Sequence, residues 1–158
     1  MYNVPTLAPA AVATLPAHGP VELLAPGVTR QWLYNHRIVA YVISDISRPA
    51  IDAWIGGIHQ AAKTWQSGQT SCSLYDFSAK RVVAFTPYLR ARLTEVSQLR
   101  PELTTRVAVV LPDTRIGQLL SQMTHLFLKS QPRINTQADV FFSRDDAICW
   151  LKRQIQLE

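Results

Sequence analysis

The strongest constraint on this chain is a change of hydrophobic period that recurs four times between residues 28 and 156. "VTRQWLYN" (28–35) and "RIVAYVIS" (37–44) are rich in β-branched and aromatic residues, and the polar break at Asn35-His36 predicts a tight hairpin between two strands. "SRPAIDAWIGGIHQAAKTWQSG" (47–68) then places Ile51, Trp54, Ile55, Ile58, Ala62 and Trp65 on one helical face. Ser47 is the predicted N-cap, Pro49 suits the first turn and Gly68 the stop. Inside that helix the Gly56-Gly57 pair costs about 1 kcal/mol per glycine relative to alanine, which close approach of the helix to a sheet explains.

The alternation continues. "TSCSLYD" (70–76) predicts a strand, and a helix is expected from Pro87 to Leu99. "TRVAVVLP" (105–112) is a nearly continuous apolar run of the kind buried on both faces of a parallel sheet. In "DTRIGQLLSQMTHLFLKS" (113–130) Ile116, Leu119, Leu120, Met123 and Phe127 form a stripe read as core, with His125 facing solvent. "ADVFFS" (138–143) is a last strand, and "SRDDAICWLKRQIQ" (143–156) a last helix, with Ser143 and Asp146 in capping-box positions. The order β-β-α-β-α-β-α-β-α predicts an α/β fold: one mixed, mostly parallel sheet of about five strands with about four helices and the first strand as an antiparallel edge.

Composition supports one domain with its own core: 158 residues, 47% hydrophobic. Five of the ten prolines fall within the first 26 residues, so residues 1–27 are expected to be an extended Pro/Ala-rich arm and 28–158 the α/β domain. The arm has no basic leader and is not read as a signal peptide. No stretch has the roughly 18 uninterrupted apolar residues of a membrane span. Cys72 and Cys149 are expected to be buried small hydrophobes, a usage that fits a reducing, cytoplasmic compartment. The net charge of +5 is concentrated between residues 78 and 115, where seven cations face three acids. That region suits an acidic partner, a phosphate or a membrane surface. Without aromatic–basic interleaving or a recognisable module, nucleic acid is not an expected partner.

No pattern points to catalysis. The six glycines form no phosphate loop, nothing matches CxxC, HExxH or GxSxG, and no histidine pair has ligand spacing. Asp145-Asp146 are accounted for by capping and the helix dipole. The expectation is therefore a protein that is not an enzyme and has no catalytic residues, metal or cofactor.

The alternation with an acid, Asp76, ending the central strand resembles the SpoIIAA-like fold shared with STAS domains, the anti-sigma-factor antagonists and the cytoplasmic modules of sulfate transporters. "VFFSRDDAICWLKRQI" (140–155) looks like the closing pattern of SpoIIAA-like proteins, and the resemblance spans residues 28–156 in order and spacing. It implies a regulatory or protein-binding module. In the regulatory members a hydroxyl at the start of the next helix is phosphorylated by a partner kinase. Here that motif falls on Ala84, Phe85, Thr86 and Pro87, where Thr86 alone keeps a hydroxyl. Thr86 and Ser78 are thus the candidate phosphoacceptors, and Asp76, Lys80, Arg81 and Arg90 the candidate contacts for an anion or partner. From its residues alone, Thr86 before Pro87 is also a helix N-cap.

The alternative reading is a carrier of a small hydrophobic ligand held between sheet and helices, with Trp54, Trp65, Tyr75, Phe85 and Phe127 as candidate lining. In either case the expected partner is an unidentified protein or small ligand. The arm and the sheet edge also offer material for a homodimer.

Overall fold

The computed structural model of the chain describes residues 18–79, 85–130 and 135–156. Six strands form one sheet whose spatial order follows the chain: β1 (His18–Ala25), β2 (Val28–Leu33), β3 (Ile38–Ile43), β4 (Ser71–Asp76), β5 (Thr105–Val110) and β6 (Thr136–Phe141). The first three pair antiparallel and β3 to β6 pair parallel, so the α/β class and mostly parallel sheet expected from the sequence are what the chain adopts. The helices α1 (Arg48–Thr64), α2 (Pro87–Ser97), α3 (Arg115–Ser130) and α4 (Arg144–Gln156) each follow a parallel strand.

The additional strand is β1, which occupies the end of the expected arm. Prolines at 20 and 26 hid it from a reading by composition. A strand tolerates proline at an edge or a bulge, and Pro20 lies on an edge strand between His18 and Val21, where the register shifts. The antiparallel edge is consequently β1 rather than β2, and residues 1–17 of the expected arm lie outside the described residues. The turn from β1 to β2 needs Gly27: its φ is +79°, and a Cβ there would sit 2.6 Å from that of Asp45.

The predicted β2–β3 hairpin is present, with Leu33 opposite Ile38 and a four-residue loop rather than a two-residue turn. Tyr34, Asn35 and His36 all take left-handed backbone angles. Tyr34 is held there by Lys152 Nζ, 5.0 Å over its ring, and by the edge of His18, 5.1 Å away. Of the glycine pair in α1, only Gly57 marks close approach. A Cβ there would lie 2.7 Å from Leu24 Cδ1 and 3.1 Å from Tyr41 Cε1, whereas Gly56 faces open space.

Side chains alternate across the sheet and define two cores. One face carries Val39, Tyr41, Tyr75 and Val109 and is covered by α1 and α2, with Ile51, Trp54 and Ile55 of α1 fully buried. The other carries Ile38, Ala40, Cys72, Leu74 and Ala108 and is covered by Ala147 and Leu151 of α4. Every residue of β4, the strand between β3 and β5, is buried. Two expectations of burial fail. Cys149 lies on the outer side of α4 and is exposed, while Cys72 is buried. Met123 is exposed, as are its stripe neighbours Ile116 and Leu119, because α3 lies over the β6 edge and buries only Gly117 completely.

Candidate functional site: an apolar cavity under α2 and α3

The face of β4 and β5 that α1 covers only partly continues beneath α2 and α3. Tyr75, Val107 and Val109 rise from the strands, and Phe77 and Leu111 extend the floor past the strand ends. Trp54 of α1 closes one side, packing edge-on against Tyr75 (centroids 5.0 Å apart) and Phe77 (5.3 Å). Leu89, Leu93 and Val96 of α2 form a second wall, and Leu120, Thr124, Phe127 and Leu128 of α3 a third. These surfaces do not meet. They leave a cavity of about 200 Å³.

The gap has a local cause. α2 buries only Leu89 completely, and α3 is pinned at its first turn rather than along its length. Thr114 caps that turn, its Oγ1 accepting from Gly117 N–H at 3.0 Å. A Cβ at Gly117 would lie 1.7 Å from the Pro112 carbonyl oxygen, so glycine sets how closely the helix starts against the end of β5. Farther along, Phe127 meets Phe85 edge-on at 5.3 Å, spanning the mouth between α3 and the start of α2.

Four of the five aromatic residues expected to line a ligand space therefore converge on one cavity: Trp54, Tyr75, Phe85 and Phe127. Trp65 does not. It is buried at the far end of α1, packed against Trp32 at 5.7 Å. The lining also includes three hydroxyl residues that sequence reasoning overlooked, Ser97, Thr124 and Thr136. Ser97 Oγ donates to the Thr94 carbonyl and Thr124 Oγ1 to that of Leu120. Thr124 Oγ1 keeps acceptor capacity beyond that bond. Nothing in a sequence marks serine or threonine as cavity-lining before the helices are docked.

The switch candidates lie at the C-terminal end of β4 and the start of α2. Asp76 is buried, with Oδ1 accepting from Ser78 N–H at 2.9 Å and Oδ2 from Arg144 Nη1 at 3.0 Å. Its role is to tie the central strand to the start of α4. Arg144 was missed in the sequence, although a cation in the first turn of a helix opposes the macrodipole and so signals a nearby acid. Thr86 is the N-cap of α2, its Oγ1 accepting from Leu89 N–H at 3.1 Å ahead of Pro87. Ser78 and Arg90 are exposed, and Lys80 and Arg81 lie outside the described residues.

Neighbouring α1 and α2 are joined by a polar cluster. Tyr88 Oη donates to Asp52 Oδ1 at 2.5 Å, Arg92 Nε pairs with Asp52 at 3.2 Å, and the Arg48 guanidinium lies 5.0 Å over the Tyr88 ring. The bond to Asp52 holds the Tyr88 phenol above its ordinary pKa.

Among the described residues no group of three or more His, Cys, Asp or Glu side chains could hold a metal ion, and no helix is long and apolar enough to cross a membrane. The fold and site define a mixed α/β domain of STAS-like topology with an apolar cavity on one side of its sheet. Comparison with known proteins adds no relative: no family model, no curated protein and no solved structure matches the chain.

Proposed function

We propose that this protein is a non-catalytic binding domain that holds a small, mostly apolar molecule in the cavity between its sheet, α2 and α3. The observation that carries this reading is the cavity of about 200 Å³ walled by Trp54, Tyr75, Phe85 and Phe127 in a domain long enough to pack its core. Protein interiors are close-packed, and voids larger than a water molecule are few. An apolar cavity of about 150 Å³ is enough to take up benzene. The volume here suits a single ring with a short alkyl chain, and the Thr124 hydroxyl suits one polar substituent on it.

The phosphoregulated reading has less support. The Thr86 hydroxyl is already engaged as a helix cap, and the acid, the first serine and the glycine of the regulatory motif are missing.

The test is uptake of n-butylbenzene, followed by titration calorimetry and native mass spectrometry. The intact protein is expected to bind one equivalent. Thr124→Phe, which fills the cavity from the α3 wall, is expected to weaken binding at least tenfold while the protein stays folded. No uptake by the intact protein, or equal uptake by the filled variant, would reject the reading.

A further inference from the structure

α3 is apolar in two directions. Leu120, Thr124, Phe127 and Leu128 line the cavity. At 100° per residue, Ile116, Leu119, Met123 and Leu126 fall together on the adjacent arc of about 80°. That arc is open to solvent: Ile116 is 51% exposed, Leu119 58%, Met123 41% and Leu126 69%. Single exposed apolar residues are ordinary, but four in one helical stripe mark an interaction surface. The rest of the helix is Gly117, Gln118, Ser121, Gln122, His125, Ser130 and its two charged groups, Arg115 and Lys129, with no carboxylate anywhere from 115 to 130. Asp113 lies ahead of it, outside the helix.

We propose that α3 is a membrane-docking helix, which seats its outer arc in the headgroup–acyl boundary of an anionic bilayer while its inner side forms the wall of the cavity. Charge selects this occupant. An apolar arc on a helix whose only charged groups are the cations Arg115 and Lys129 matches an anionic lipid surface, whereas a second copy docking through α3 alone would set one acid-free helix against another. Continuity selects it too, because one helix separates the cavity from the exposed arc. A molecule partitioned into the bilayer then has only α3 to pass, at the Phe85–Phe127 contact, without crossing water. The transfer route, though not the docking itself, rests on the cavity being a ligand site, and the two are tested separately.

Flotation with vesicles of equal parts phosphatidylglycerol and phosphatidylcholine is the experiment, run beside the butylbenzene titration in buffer. The full chain is expected to float with these vesicles, at least tenfold less with pure phosphatidylcholine, and less as salt screens Arg115 and Lys129. The variant Leu119→Gln/Met123→Gln/Leu126→Gln is expected to lose flotation at least tenfold yet bind butylbenzene as before. Its substitutions are on exposed positions, so its thermal melt should match the parent. Arg115→Gln/Lys129→Gln, which keeps the apolar arc, is expected to lose the preference for the anionic vesicles.

A parent chain that takes up butylbenzene but does not float, or a triple variant that floats equally well, overturns docking and leaves the carrier reading standing. Flotation that depends on the arc without any butylbenzene uptake supports docking and rejects the carrier. A dimer in light scattering that the triple variant dissolves, with no flotation by the parent, makes the face a contact between copies and overturns the proposal.

Discussion

Asp76 connects parts of the chain 68 residues apart, and its two bonds divide the work. The one from Ser78 N–H closes the loop after β4, and the one from Arg144 fixes where α4 begins. Asp76→Asn keeps an oxygen for Ser78 but removes the charge facing Arg144. Because Arg144 stays about a third exposed and can be rehydrated, the expected loss is about 1–3 kcal/mol, below the cost of breaking a fully buried pair. Urea unfolding of Asp76→Asn, Arg144→Met and the double variant checks this, and strict additivity would show that the pair is not coupled. The acid itself was visible in the sequence as the end of a strand. Its partner was not, since nothing in the local pattern says which distant cation folds back to it. Trp65 illustrates the opposite error. It shares a helical stripe with Trp54, yet eleven residues of helix separate the two by about 16 Å, too far for one small cavity.

Most elements were legible as elements, because apolar period and capping are local properties: α2 begins after Thr86 and α4 after Ser143, whose Oγ accepts from Asp146 N–H at 3.4 Å, while α1 begins after Ser47 without a side-chain cap, the Ser47 hydroxyl donating to Asp45 instead. What a stripe faces is not local. α3 has the period of a core helix, but its apolar arc is wider than the sheet beneath it can cover at the β6 edge, so Met123 and its neighbours remain outside. β1 escaped notice for a related reason: Pro20 within it and Pro26 just after it argue against a central strand, and the sequence does not reveal that this one is an edge. The seating of α3 depends on Gly117. Any side chain there must displace the helix start from the Pro112 carbonyl, so Gly117→Ala is expected to cost about 1–3 kcal/mol as overpacking does. It should also speed hydrogen exchange in the first turns of α3 while leaving α1 and α4 protected. Uniform protection with an unchanged melt would contradict the close approach.

The domain as a whole presents a definite response to alkali. Tyr41 is fully buried between the sheet and α1, and burial first, with Tyr75 nearby second, pushes its phenol well above the ordinary 10.0, with the Arg30 guanidinium opposing. A folded-state value above the unfolded one gives stability that is complete below about pH 10 and is lost as the pH climbs toward the folded value. Tyr41→Phe should therefore unfold at higher pH than the parent, and phenolate absorbance from Tyr41 should appear only with unfolding; identical alkaline midpoints would refute the linkage. The order of the sheet carries a different consequence. Each strand pairs with the one synthesised immediately before it, so a chain emerging from the ribosome can add strands in sequence without holding any edge open for a later partner. Only the α4 side must wait: until Ala147 and Leu151 arrive, the surface of Ile38, Cys72, Leu74 and Ala108 is bare. A nascent chain halted before residue 144 would thus be a nearly complete sheet with one greasy side, the form of this protein most in need of a chaperone.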